Sequence, residues 1–137
     1  DLLRPYAQCG WDKVDIGCNV ENGIPVEDNT FDTVYSSHLV EDFQDTKKIL
    51  KEFIRILKSG GNLITVIPDQ KKYEESCRKN NSTPNESHKI KDMGLFYYIQ
   101  QLDELSSKEK NFSSKLLFTS NCEITYNVII VSRIEKI

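Results

Sequence analysis

Between residues 45 and 58 the apolar positions Ile49, Leu50, Phe53, Ile54 and Leu57 recur with the spacing of one helical face, while Lys47, Lys48, Lys51, Arg55 and Lys58 fall off it. The pattern predicts an amphipathic helix. Asp45 or Thr46 is placed to accept hydrogen bonds from its first free amides, and Ser59-Gly60-Gly61 to end it where a left-handed residue is needed. On either side the period changes. Residues 31–36 read as a buried strand between the turn-forming run 22–30 and a polar cluster. Residues 62–68, NLITVIP, are nearly all apolar, which predicts a strand covered on both faces and stopped by Pro68. Strand, helix and strand in close order, with a Gly-Gly turn, make the βαβ unit of a parallel sheet, so the class is α/β.

The flanks extend this core. In residues 11–19, WDKVDIGCN, Val14 and Ile16 alternate against Lys13 and Asp15 and suit a further strand. Residues 69–92 are polar and include Asn80-Asn81-Ser82-Thr83-Pro84, which predicts a flexible insertion with a short helix over 70–78. A second helix is expected over 93–105, with Leu95, Phe96, Ile99, Leu102 and Leu105 as its apolar face. Residues 112–119 and 123–134 read as two strands separated by Ser120-Asn121-Cys122, an antiparallel hairpin at the sheet edge.

Length and charge narrow the classes. A chain of 137 residues suits one domain. With 28% charged residues and a net charge of -3, neither a nucleic-acid surface nor an acidic disordered chain is suggested, and the lysines of the first helix read as a solvated face. No apolar run approaches the roughly 18 residues that a membrane span needs, so a soluble, cytoplasmic protein is expected. The four cysteines are scattered without a CxxC pair, which points to reduced thiols and no zinc site.

The candidate chemistry lies in FDTVYSSHLVEDF, residues 31–43, where His38, Glu41 and Asp42 follow directly on a strand. Ligands of open α/β sheets sit outside the carboxyl ends of the strands. A spacing of three to four residues puts His38 and Glu41 or Asp42 on one side of a helical turn. A histidine with a carboxylate partner can act as a general base. The same residues can instead cap the turn and hold the loop, and for a metal no third ligand has a sensible spacing. His88, in the polar insertion, reads as a surface histidine or a lid over the pocket.

IPVEDNTFDTVYSSHLVEDF followed by ILKEFIRILKSGGNLITVIPD resembles the class I S-adenosylmethionine-dependent methyltransferases. The nearest pattern is that of the small type 11 group, LPF-DNSFD-V-SSHVLEH and then L-E-RVLKPGG-L-I-VPD. The resemblance implies a Rossmann-like, mostly parallel sheet with flanking helices and a C-terminal antiparallel hairpin. It also implies a glycine-rich turn after the family's first strand, which this sequence does not contain. The single domain, 1–137, is therefore expected to be incomplete at its N-terminus, with about 20 or more residues upstream by analogy with other dinucleotide folds.

Residue by residue, the resemblance implies that Asp1 accepts the ribose hydroxyls, and that Asn19 and Val20 grip adenine by side chain and backbone amide. A turn role for Asn19 before Gly23-Ile24-Pro25 stands beside that reading. Ser36, Ser37 and His38 would line the methionine end of the cofactor and face the acceptor, with His38 and Glu41 as the catalytic pair. Asp32 would be structural, capping the strand entry. Where the family often shows H-x-x-E-H, this chain has Asp42 in place of the second histidine. The implied activity is methyl transfer from S-adenosylmethionine, leaving S-adenosylhomocysteine, to a small-molecule or glycan-like acceptor, with no nucleic acid, metal or membrane involved. The missing sheet centre gives a homodimer added weight. Two other readings stand beside it: a methyltransferase-like fold acting as a catalytically inactive binding or scaffold protein, and a nicotinamide-dependent oxidoreductase, which the match at residues 24–68 disfavours.

Overall fold

The computed structural model describes residues 18–121 and 125–137. In chain order the elements are β1 (Phe31–Ser37), α1 (Thr46–Ile56), β2 (Leu57–Pro68), α2 (Gln70–Lys79), α3 (Leu95–Glu109), β3 (Phe112–Asn121) and β4 (Asn127–Lys136), with short 3-10 turns at Val20–Asn22 and Val40–Asp42. The sheet order is β1-β2-β4-β3. β1 runs parallel to β2, and β4 runs antiparallel to both β2 and β3. The α/β class follows, with the crossover α1 joining the parallel pair. The expected strand over 11–17 and Asp1 lie outside the described residues.

Alternation decides which side of each strand is covered. Val34 and Ser36 of β1 pair with Leu63 and Thr65 of β2, which pair in turn with Ser132 and Ile130 of β4, and all six are buried. α3 packs on this face, since the Tyr98 hydroxyl and Thr65 Oγ1 meet at 2.7 Å in the interior. The other face carries Tyr35 and Ile129, both more than a third exposed, and the half-buried Ile64, Val66 and Val131. The strand over 62–68, expected to be covered on both faces, is fully covered on one among the described residues and half-buried on the other.

α1 forms as the spacing predicted. Ile49, Leu50, Phe53 and Ile54 are buried, and Asp45 Oδ1 accepts from the Lys48 amide at 3.1 Å. Its basic positions are engaged in ion pairs, Lys47 with Glu104 and Lys51 with Glu109 of α3. The helix does not end at the glycines, however. It stops at Ile56, and Leu57 already pairs with Phe31 in the sheet. The next pairing is Thr33↔Asn62, so Lys58 to Gly61 bulge out of β2 opposite Asp32. Gly60 takes φ +80° within this bulge. Ser59 Oγ accepts from the Lys136 amide at 2.9 Å and ties the bulge to the end of β4. Asp32 is exposed and pairs with Lys58 at 3.1 Å.

Two further expectations need correction. The inner face of α3 is Tyr98, Leu102 and Leu105, while Phe96, assigned to that face by spacing, is 87% exposed. β3 runs to Asn121 and β4 begins at Asn127, so the hairpin connection lies further along than Ser120-Asn121-Cys122, and β4 sits inside the sheet with only β3 at its edge. The described cysteines, Cys18 and Cys77, are free thiols. No helix among the described residues is long and apolar enough to cross a membrane.

The bulge supplies a test. A Cβ on Gly61 would lie 2.9 Å from the carbonyl oxygens of Asp32 and Lys58 and from Leu57 Cδ2. Because two of these atoms are backbone, Gly61→Ala is expected to destabilise the fold by about 1–3 kcal/mol, the usual cost of overpacking. Urea unfolding checks this, and an unchanged midpoint would show that the bulge opens freely.

Candidate functional site

β1 delivers its last residues to the carboxyl edge of the sheet, beside the end of β2. The His38 amide donates to the Val66 carbonyl at 2.9 Å, which carries the parallel pairing one residue past the strand. His38 then adopts φ +50°, a left-handed conformation uncommon for a side chain other than glycine. The chain turns sharply into Val40–Asp42, where Val40 and Glu41 are both fully buried. This turn brings His38 Nδ1 to 3.3 Å from Glu41 Oε1. The i to i+3 pairing predicted from spacing is therefore formed, on a 3-10 turn.

The second neighbour of Glu41 comes from far along the chain. His88 Nε2 lies 4.0 Å from the same Glu41 oxygen, and the backbone around it is pinned because the Lys89 amide donates to the Glu41 carbonyl at 2.8 Å. His88 is buried, which corrects the expectation of a surface or lid histidine. Its Nδ1 lies 2.9 Å from Gln70 Oε1. The Gln70 amide nitrogen donates to Glu74 Oε1 at 3.0 Å, which orients its oxygen toward the imidazole. Tyr73 stacks beside His88 with ring centroids 4.8 Å apart, and Tyr126 bridges from Tyr73, at 4.9 Å, to His38, at 6.4 Å.

The cluster is electrostatically tight. Neither Glu41 carboxylate oxygen has an aligned hydrogen bond among the described residues, and the basic side chains within 4.0 Å of it there are the two imidazoles. A buried carboxylate left without compensation is costly. Burial, and after it the Glu41 charge, pushes the Asp42 carboxyl above the ordinary range, opposed by His88, Lys89 and His38. No group of three metal-ligating side chains occurs among the described residues.

Other residues singled out by the sequence are placed as follows. Ser36 is buried with no hydrogen-bond partner for its hydroxyl among the described residues, and Ser37 is half-buried at the end of β1. Asn19 is exposed and caps the turn Val20–Asn22, its Oδ1 accepting from the Glu21 amide at 3.1 Å, so the turn role is realised. Val20 is buried. The loop that follows is stitched to α1: Glu52 accepts from the Ile24 amide at 2.9 Å, and Arg55 donates to the carbonyls of Ile24 and Val26 and to Asp28. A cleft of about 250 Å³ opens next to the end of β2, lined by Asp69, Lys71, Asp92, Gly94, Phe96 and Tyr97 among others.

Residues 7–65 match a family model described as a methyltransferase domain. Among solved structures, an S-adenosylmethionine-dependent methyltransferase from Aquifex aeolicus is similar with TM-score 0.57 and 14% identity, over 92% of this chain and 57% of that one. A complex of the Haloferax volcanii Trm112 methyltransferase activator matches through a chain with TM-score 0.60 and 12% identity, over 82% and 58%. The [4+2]-cyclase SpnF, with TM-score 0.58 and 10% identity, matches over 90% and 56%. The chain thus spans somewhat under two thirds of the length of these structures. No curated protein sequence matches it.

Asp42 gives a test of the electrostatics. A carboxyl whose folded value lies above its unfolded one costs stability as pH rises through the unfolded range. Asp42→Asn is therefore expected to be more stable than the parent at neutral pH, with the gain disappearing below about pH 4, where the unfolded carboxyl is protonated too. Denaturant unfolding at both pH values checks the sign.

Proposed function

We propose, for a chain with the residue pattern of the type 11 methyltransferases over 7–65 and the fold of the class I S-adenosylmethionine-dependent methyltransferases, methyl transfer to a hydroxyl-bearing small molecule in the cytosol. The observation that carries this reading is His38 at the carboxyl end of β1, 3.3 Å from the buried Glu41 carboxylate. The catalytic assignment is His38 as base and Glu41 as the group that orients it.

The residues present fit the cofactor. Ser37 is half-buried at the strand end, and the Ser36 hydroxyl just inside it is buried and unpartnered among the described residues. Asn19 Oδ1 accepts one hydrogen bond within its turn, which leaves its second lone pair for the adenine amine. Asn19 and Val20 are assigned to adenine, Ser36, Ser37 and His38 to the methionine end, and Asp1 to the ribose. S-adenosylmethionine, when bound, would supply a methyl carbon activated by its sulfonium, with S-adenosylhomocysteine as the leaving group. The protein's part is mainly to hold donor and acceptor about 3–3.5 Å apart and keep water out. If Nδ1 of His38 carries its proton toward Glu41, Nε2 is left to take the proton of the acceptor hydroxyl as the new C–O bond forms.

Acceptor choice is assigned to the 69–92 segment and the cleft at Asp69, Lys71 and Tyr97, which open beside the same edge of the sheet. The cyclase among the structural neighbours has a similar fold, so the reading rests on the site residues, which the test addresses.

Calorimetric titration with S-adenosylhomocysteine tests binding. His38→Ala is expected to lower turnover by about 100-fold or more, the range for losing a general base, with a much smaller loss of affinity for S-adenosylhomocysteine, from its place at the methionine end. An equal loss of binding would reject the base role, and binding without turnover on any acceptor would favour the non-catalytic alternative.

A further inference from the structure

We propose that His88 is a positioning residue: from the segment after α2 it shares the buried Glu41 carboxylate with His38, and so sets how strongly Glu41 holds the imidazole at the end of β1. This rests on the reading of His38 as base, which it deepens by adding a second imidazole to the same carboxylate. Asp42 occupies the position beside Glu41 where the sequence pattern has a histidine, and a ring arrives from 47 residues further along the chain, as the pairing of Glu41 with His88 shows.

Three observations carry the proposal. Glu41 is fully buried, both its oxygens lack an aligned hydrogen bond, and the imidazoles approach the same Oε1 at 3.3 and 4.0 Å. His88 is held in place from behind, because Glu74 orients Gln70, and Gln70 Oε1 accepts from His88 Nδ1, which leaves Nε2, a bare acceptor in the neutral ring and a donor in the imidazolium, facing the carboxylate. Its backbone is fixed independently by the hydrogen bond from the Lys89 amide to the Glu41 carbonyl. A proton on His88 Nε2 satisfies Glu41 from one side and weakens its hold on His38 from the other, since one negative charge is divided between two cations. The other titratable groups that face this cluster are Asp42, on the same turn, Tyr73 from α2, Tyr126 ahead of β4, and Lys89. Asp42 raises the negative charge of the cluster, and Lys89 opposes it.

The arrangement has a consequence for the acceptor site. The segment that places His88 is the same one that lines the candidate acceptor side, so its seating and the readiness of His38 are linked. A substrate that displaces His88 would leave Glu41 entirely to His38.

Long-range proton–nitrogen NMR on the full chain, labelled at histidine and without cofactor, tests this directly. The expected result is that the His38 titration curve has two inflections, the second coinciding with that of His88, as for two sites on one carboxylate. In His88→Gln the His38 midpoint is expected to rise, with a single inflection. Single-site curves for both rings in the parent, with no shift in His88→Gln, would overturn the proposal. Should His88→Gln fail to fold, Glu41→Gln and the parent curves decide: coupling in the parent that vanishes in Glu41→Gln supports it, and uncoupled rings in the parent overturn it. The spectra need neither cofactor nor acceptor. If His38→Ala keeps full turnover, the base role fails while the coupling still stands or falls on its own measurement.

Discussion

Strand β2 is hydrogen-bonded along both edges, parallel to β1 and antiparallel to β4, and the rest of the molecule is arranged around that constraint. A parallel neighbour cannot be reached by a tight turn, so α1 must cross over one face, and its Ile49, Leu50 and Phe53 are buried there. The antiparallel neighbour fixes the register of β4, with Ile134 opposite Gly61 and Asn127 opposite Pro68. Both requirements meet in the bulge at Lys58 to Gly61. Helix α1 passes into β2 without an intervening loop, and the close approach of Asp32 and Lys58 carbonyls at Gly61 leaves no room for a Cβ.

That same pairing determines where chemistry is possible. The hydrogen bond from His38 to Val66 holds the end of β1 level with the end of β2, and the left-handed turn at His38 folds the following residues back under the sheet edge. Val40 goes into the core because it is apolar, and Glu41 is carried in beside it by the tight 3-10 geometry. Burying a carboxylate in this way is unfavourable unless cations or donors meet it. Two imidazoles approach it here, one local and one distant, and the aromatic rings of Tyr73 and Tyr126 close the group.

The opposite end of the sheet is built from fixed charges. Arg55 reaches carbonyls at Ile24 and Val26, Asp28 and Glu52, and Lys136 donates to Asn29 Oδ1 at 2.6 Å and the Arg55 carbonyl at 3.0 Å. The guanidinium is held charged because it donates hydrogen bonds to the Glu52 and Asp28 carboxylates. A cleft of about 290 Å³ lies there, but its charged side chains are spent on one another. The contrast with Glu41 is chemical: guanidinium and carboxylates make a static brace, whereas imidazoles around one carboxylate can exchange a proton.

The amino-acid sequence by itself determined what depends on near neighbours. The period of residues 45–57 specified α1 and its buried face as far as Ile54, and the cap was narrowed to Asp45 or Thr46 by their place before the first free amides. His38 was matched with Glu41 or Asp42 because a tight turn brings residues three or four apart together; the structure selects Asp45 and Glu41. The alternation of apolar groups and turn formers also fixed the α/β class and the parallel unit. Only the tertiary structure decided the rest. Phe96 fits the spacing of an inner face yet is exposed, since which stripe of α3 is covered depends on Thr65 receiving the Tyr98 hydroxyl from another element. The glycine pair reads as a helix end but serves a bulge, because Leu57 is captured by Phe31 across the sheet. His88 reads as a surface histidine in a polar segment, and nothing local marks it; its burial is set by Gln70, Tyr73 and Glu41, residues brought to it by folding, which no periodicity along the chain encodes.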